Sequence, residues 1–285
     1  MVFNTCFSFQ IAEKYGPVFT VHFGLQKAVV LTGYEVVKEA LLNTADVFAD
    51  RPAIPIFYHI QNGNGVFFSS GELWKTTRRF TMATMRDLGM GKKLIEGRIL
   101  EELHFLIEMI KSFNRKVYAE IDRVLEPGCL PTFEARKNMP FTNAVIHEVQ
   151  RFVTLLPHVP RCTSVNTNFK GYFIPKGTTV IPLLTSVLLD KTQWETPYQF
   201  NPNHFLDADG KFVKKDAFLP FSTGRRNCIG ESLAKMELFL FFTGLLQKFT
   251  FLPPAGVTES DLDTVAEAGF TMRPRPQSAR AVQRQ

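Results

Sequence analysis

The chain has 285 residues, 45% of them hydrophobic and 28 of them phenylalanine, enough to bury a large aromatic core as one large domain or two smaller ones. Of its formal charge of +6, four charges sit after Phe270 as Arg273, Arg275, Arg280 and Arg284, in a stretch without acids; the mildly basic remainder makes no case for nucleic acid. Cys6, Cys129, Cys162 and Cys228 are scattered without a Cys-x-x-Cys pair, which argues against a disulfide framework or a zinc site and for a reducing compartment.

Residues 1–10 lack the basic start, apolar core and cleavage site of a signal peptide. Val18 to Phe23 and Ala28 to Leu31, separated by Gly24-Leu25-Gln26-Lys27, predict a β-hairpin. Val36, Val37, Ala40 and Leu41 place an amphipathic helix over Tyr34 to Leu42. Arg51 to Gly71 contains Pro52, Pro55, Gly63, Gly65 and Gly71 and reads as a loop without regular structure. Helices are expected near Leu73 to Met85 and Lys92 to Lys111. Helical periodicity runs uncapped from Gly91 to Leu125, unusually long for a globular domain.

Pro140 and Thr142 introduce a helix reaching about Leu155, and Tyr172 to Ile181 reads as two strands around a Pro-Lys-Gly turn. Glu231 to Phe249 is apolar on nearly every face, which predicts a central buried helix. Its apolar run from Leu238 to Leu246 is half of the roughly eighteen residues a membrane span needs. The expected class is mainly α with small antiparallel β-sheets, an α+β arrangement, followed by a basic tail over 272–285 that reads as disordered.

The most informative stretch is Phe221-Ser-Thr-Gly224-Arg225-Arg226-Asn-Cys228-Ile-Gly230, a lone cysteine in a Gly- and Arg-rich loop that leads into the apolar helix. An isolated cysteine is ordinarily buried and inert. Here Arg225, Arg226 and a helix N-terminus favour a thiolate, while Gly224 and Gly230 permit tight turns and close backbone approach. Such a site is a nucleophile or a metal ligand.

Phe221, Gly224, Arg226, Cys228 and Gly230 resemble the haem-binding signature of the cytochrome P-450 superfamily, the haem-thiolate monooxygenases, over about residues 13–273 and most closely in the microsomal branch. The resemblance implies that Cys228 is the axial ligand of haem b and that Arg226 pairs with a haem propionate. It implies the same for Trp74 and Arg78, four apart on a helix and otherwise a plain cation–π pair, and for Arg51 and Arg161. A dianionic porphyrin edge needs several paired cations when buried, so these residues make chemical sense together.

Glu148 and Arg151 read in isolation as a surface i,i+3 pair worth about 0.2–0.5 kcal/mol. They also match the family's structural Glu-x-x-Arg motif, with His204 in Asn201-Pro-Asn-His-Phe205 as a third partner. His147-Glu148 begins a zinc-protease pattern, but Arg151 stands where the second histidine belongs. No nucleophile elbow, Walker loop or dinucleotide fingerprint is present.

By resemblance the protein has an incomplete P-450 fold over 1–271, internally shortened near 113–115, and lacks the membrane anchor. The family's oxygen-activating helix has no counterpart before Glu148, and Ala255-Gly256-Val257-Thr258-Glu259 has the acid and threonine in reversed order. No catalytic residue is therefore assigned. The implied reaction inserts one atom of O₂ into a lipophilic substrate (a xenobiotic, fatty acid or steroid), with electrons from NADPH through a reductase, or cytochrome b5. The implied location is the cytosolic face of the endoplasmic reticulum membrane, and a catalytically silent haem-binding form is the alternative. Substrate contacts are expected at Pro55 to Phe68, Leu155 to Val159 and near Phe270.

Overall fold

The computed structural model describes residues 5–87, 114–126, 128–252, 266–267, 273–274 and 280–284. The chain packs as two units, each assembled from three separate stretches: Met1–Leu88, Leu156–Trp194 and Ala217–Ile229 in one, and Gly89–Leu155, Glu195–Asp216 and Gly230–Gln285 in the other.

In the first unit, helix α1 (Thr5–Tyr15) precedes the hairpin of β1 (Val18–Phe23) and β2 (Gln26–Leu31). Gly24, at φ 62°, supplies the left-handed turn conformation between them. Alternation puts Phe19, Ala28 and Val30 on a buried face with Ile181, against which Ile11 and Ala12 of α1 pack. Helix α2 (Tyr34–Lys38) continues into a π turn over Glu39–Asn43, so the predicted helix is present with a wider last turn. Helix α3 (Pro55–Gln61) interrupts the segment expected to be irregular. Proline at a first helical position loses no hydrogen bond, and Asn62 in the left-handed region closes the turn; these breakers delimit a short helix.

Helix α4 (Gly71–Asp87) matches its expectation, whereas the helix expected over Lys92 to Lys111 lies outside the described residues. The two strands predicted over Tyr172 to Ile181 exist but belong to different sheets. Of the strands β3 (Arg161–Cys162), β4 (Thr167–Phe169), β5 (Tyr172–Ile174) and β6 (Thr179–Pro182), β5 pairs with β4, while β6 runs parallel to β2 and antiparallel to β3. That sheet has the order β1-β2-β6-β3 and is mixed, with one parallel pair beside the antiparallel ones expected. A parallel partner needs a long crossover, which local alternation does not reveal.

In the second unit, α5 (Asn114–Val124) and α6 (Pro140–Val153) enclose a core with the later helix α8 (Glu231–Lys248), after the short first-unit helix α7 (Leu184–Leu188). Val117 and Ile121 of α5, Val145 and Ile146 of α6, and Met236, Phe239, Leu240, Phe242 and Leu246 of α8 form one buried cluster. Each large side chain so buried contributes about 1.5–3 kcal/mol. The predicted burial of α8 holds from Met236 onward, while its first turn is only partly covered.

Within the basic tail over 272–285, Arg273–Pro274 and Arg280–Gln283 are strands. Strand β7 (Phe249–Leu252) follows α8, the short pair β8 (Ala266–Glu267) and β9 (Arg273–Pro274) comes next, and β10 (Arg280–Gln283) returns to pair with β7. Arg284 bonds Asp122 at 2.7 Å and lies 4.3 Å from the Tyr118 ring centroid. The mainly helical class with small sheets is as expected.

Helix α6 takes its N-terminal cap from another helix. Its own N-cap, Met139, offers no side-chain acceptor, and Glu120 of α5 accepts from Phe141 N at 3.0 Å and from Thr142 N and Oγ1 at 2.7 Å each. Glu120→Ala is expected to cost about 1–2 kcal/mol, read as a lower unfolding midpoint, and Glu120→Gln less.

Also on α6, His147 packs 4.6 Å from the Phe212 ring and donates from Nδ1 to Asn143 O at 2.8 Å. Burial pushes its pKa down from 6.5 to about 4, opposed by the Asn143 bond and reinforced by Lys235 and Arg136. Between those values the unfolded chain binds more protons than the folded one. Stability is therefore full above pH 6.5 and falls by about 3 kcal/mol as pH drops to about 4. Denaturant titrations across this window should show the slope flattened in His147→Gln; an unchanged slope assigns the loss to other groups.

Candidate haem-edge site and its buried cations

The cysteine loop is held by backbone conformations that few residue types adopt. Ser222 sits at φ 60° and Gly224 at φ 73°; Gly224–Arg226 form one 3₁₀ turn, and Cys228 N donates back to Phe221 O at 2.9 Å. The positive φ at Ser222 costs about 1–2 kcal/mol for a residue with a side chain. Its hydroxyl accepts from Arg161 Nη2 at 3.1 Å, so the strained residue is also a contact. A Cβ on Gly224 would fall onto the backbone carbonyl oxygen of Leu41, in the π turn. Only glycine fits. Gly230, at φ −91°, has no such need and opens the second unit as the N-cap of α8.

The cations expected to flank the thiol are arranged differently. Arg225 turns to Asp46, with Nε 2.6 Å from Oδ1. Arg226 donates from Nε to Ala49 O and from Nη2 to Ser69 O, both at 2.6 Å, and stacks 3.7 Å from the Trp74 ring centroid. Arg78 instead neighbours the exposed Cys228: it donates through Nη2 to Asn227 O at 2.9 Å and Oδ1 at 2.6 Å. Burial lowers the Arg78 pKa, and the charge of Cys228 opposes that fall.

Arg51, Arg78, Arg161, Arg226 and Trp74 are thus brought together from β3, α4, the cysteine loop and the segment before α3. Arg51 donates from Nε to Phe67 O at 2.9 Å and from Nη1 to Pro160 O at 2.6 Å. Among the described residues none of these four arginines forms an ion pair. Burial and then Arg161 and Arg78 push the Arg51 pKa down to about 8; burial with Arg226 and Arg78 lowers that of Arg161 to about 9. Burial also leads for Arg226, lowered to about 9, followed by Arg51, with Asp50 opposing.

Among the described residues, Trp74 Nε1 and Arg161 Nε and Nη1 are buried donors with no hydrogen-bond partner. A buried unpaired cation is normally worth 3–5 kcal/mol of destabilisation, at about that order. The cluster therefore fits a dianionic edge bearing several acceptor oxygens, such as the two propionates of haem.

Glu148, Arg151 and His204 belong to the second unit and form a closed network. Both Glu148 and Arg151 are fully buried, so the reading as a surface pair is corrected. Arg151 Nε and Nη2 grip Glu148 Oε2 and Oε1 at 2.7 and 2.6 Å, and Arg151 also donates to Pro197 O and Gln199 O. Asn201 N adds a bond to Glu148 Oε1 at 2.7 Å. Thr196 N donates to His204 Nε2 at 3.2 Å, which leaves the ring proton on Nδ1, 3.3 Å from Glu148 Oε2. Such a compensated pair orders a fold.

Sequence reasoning missed Ser222, Asn227 and Thr196, the small polar partners of Arg161, Arg78 and His204. No spacing rule marks them. An asparagine beside a cysteine in an Arg-rich loop is only a faint signal. Gly224→Ala should abolish the packing of the loop on the π turn, seen as loss of the cooperative unfolding transition of the first unit, whereas Gly230→Ala should retain it.

The cytochrome P450 family model matches the chain in two segments, residues 4–116 and 111–280. Cytochrome P450 2W1 of Mus musculus is 37% identical over 432 aligned residues, covering 96% of this chain and 88% of the relative, and the Homo sapiens protein of the same name gives the same values. Cytochrome P450 2K1 of Oncorhynchus mykiss is 34% identical over 440, covering 98% and 87%. Among the described residues no helix is long and apolar enough to cross a membrane. The matches extend over both units, including the cysteine loop and the Glu148–Arg151 helix, and the chain belongs to the cytochrome P450 family, within its family 2.

Proposed function

We propose that the chain holds haem b through the Cys228 thiolate, with the porphyrin's carboxylates accepting from Arg161 and Trp74 and screened by Arg51 and Arg78. The observation that carries this is the set of buried N–H groups that, among the described residues, have no acceptor and lie amid guanidiniums with no ion-pair partner. Arg226 also holds the loop itself. Its contacts with Ala49 and Ser69 make it a clamp that draws residues 49–69 onto the loop, and it stacks beneath the indole. Gly224 lets the loop approach Leu41, and Phe221 O fixes the amide of Cys228.

Family membership makes the protein a monooxygenase-type oxidoreductase. When bound, haem supplies the activation of O₂ and the insertion of one oxygen atom into an organic substrate, with electrons derived from NADPH. The chain's own share is to orient the group, present Cys228 beside Arg78 through Asn227, and exclude water. A lipophilic substrate is supported by the aromatic cluster of Phe57, Phe67 and Phe68, in which Phe57 and Phe68 stack at 4.0 Å. The same reading places the protein on the cytosolic face of the endoplasmic reticulum, supplied by a reductase or cytochrome b5.

A second reading, haem binding without turnover, is favoured by one observation. The two family matches meet at residues 111–116, and alignments of 432 to 440 positions exceed the chain's 285 residues. Both support a chain shortened near 113–115, where the oxygen-activating helix would belong.

Reconstitution with haem followed by the reduced carbon monoxide spectrum tests thiolate ligation. A far-red-shifted Soret band is expected, lost in Cys228→Ser; absence of haem uptake by the folded chain would sink both readings. Turnover of lipophilic probes with added reductase separates them, since a thiolate spectrum without product supports the silent form.

A further inference from the structure

Asn62-Gly63 and Asn64-Gly65 are the chain's two Asn-Gly pairs, set in tandem between α3 and α4. Asparagine followed by glycine is chemically labile: the next amide nitrogen attacks the side-chain carbonyl, and glycine has no side chain to obstruct the approach or restrict the rotation it needs. Both asparagines are exposed. The fold treats them differently. Asn62 closes α3 in the left-handed region at φ 49° and ψ 37°, with its N–H bonded to Tyr58 O at 2.7 Å. Ring closure turns an asparagine about its Cα–C bond and out of that region, so Asn62 must first give up the helix cap. Asn64 has no cap to lose. It follows the turn that its own N–H closes on Gln61 O at 2.9 Å, and it lies outside regular structure. Its side-chain hydrogen bond, from Nδ2 to Asn62 O, is exposed and long at 3.4 Å. The attacking group, the Gly65 N–H, makes no hydrogen bond among the described residues.

The residues after Asn64 are fastened. Gly65 O accepts from Ser69 Oγ, Val66 O from Arg226 Nη1 at 3.5 Å, and Phe67 O from Arg51 Nε at 2.9 Å. A Cβ on Gly65 would lie 3.3 Å from Gln61 Oε1 of α3. Three successive carbonyls thus fix the register of this loop within the first unit, and an extra main-chain atom at position 64 displaces them together.

We propose that Asn64 is a site of spontaneous deamidation, and that its isoaspartate product releases residues 65–67 from Ser69, Arg226 and Arg51. The Gly65 nitrogen bonds to Asn64 Cγ, the Cγ–Nδ2 bond breaks, and ammonia leaves with the amide proton of Gly65, giving a cyclic succinimide. Water then opens the ring. Addition at Cγ gives aspartate; addition at the main-chain carbonyl gives isoaspartate, whose main chain runs through Cβ and Cγ and is longer by a carbon. Solvent supplies the water, and neither haem nor Cys228 takes part.

The full-length chain is aged at mildly alkaline pH, both folded and in guanidinium chloride, and its peptides are followed by mass spectrometry, with fragment ions separating position 62 from 64. In the folded chain Asn64 is expected to convert at least about threefold faster than Asn62, the effect of the backbone hydrogen bond that opening the α3 cap breaks. In the denatured chain both asparagines precede glycine without a cap, and the two rates should converge. Isoaspartate is told from aspartate by its resistance to an aspartate-specific endoprotease. The unfolding midpoint of the aged chain should fall with its isoaspartate content. Asn64→Gln should keep its midpoint on ageing, and fresh Asn64→Asp should match the fresh parent, because it adds the charge without lengthening the main chain. Asn62 converting as fast as Asn64 in the folded chain, or a folded chain that stays intact while the denatured one converts, overturns the site. A midpoint that falls equally in aged Asn64→Gln, or that ignores isoaspartate content, overturns the release of the loop.

Discussion

Four guanidiniums drawn from distant parts of the sequence, three of them buried, repel one another across one site, and among the described residues they have no ion-pair partner. Bringing like charges out of water is unfavourable, so the surrounding structure must hold them against repulsion until an anion compensates it. Much of the first unit's local geometry serves this end. Backbone carbonyls of Ala49, Phe67, Ser69 and Pro160 take up the N–H groups, and Ser222 accepts a strained conformation in which its hydroxyl meets Arg161. The glycine at 224 allows the loop that carries Arg226 to seat directly on the Leu41 carbonyl.

The second unit treats buried charge in the opposite way. Glu148 and Arg151 neutralise one another side-on, Asn201 N and His204 occupy the remaining carboxylate positions, and Thr196 selects the histidine tautomer. Every partner comes from the chain itself, so this network specifies the fold and leaves no claim on a ligand. The contrast between a satisfied ion pair and an unsatisfied cation cluster separates structural from binding residues more sharply than residue type, since both are built on arginine.

Much of this was legible where spacing carries geometry. Trp74 and Arg78 are one helical turn apart, Glu148 and Arg151 nearly so, and both relations survive folding because α4 and α6 are regular over those positions. The cysteine loop was legible because its glycines and arginines cluster within ten residues. Spacing also misled. Breakers between Arg51 and Gly71 concealed α3, whose proline sits where helices tolerate it, and β5 and β6 lie five residues apart yet pair with different strands. The basic tail lacks apolar periodicity, and its order at Arg280–Arg284 comes from pairing with β7 and from Asp122 and Tyr118.

The sequence by itself determined the family signature, the cysteine that ends it, and the list of arginines placed around it, because these depend on residue identity at short separations. Tertiary structure decided what each arginine does. Arg226 became a backbone clamp, Arg225 a partner of Asp46, Arg78 the neighbour of Cys228 through Asn227, and Arg161 the holder of buried donors that have no acceptor among the described residues. Hydrogen-bond satisfaction depends on which carbonyls and hydroxyls the fold brings within about 3 Å, and those partners lie as far as 177 positions away along the chain.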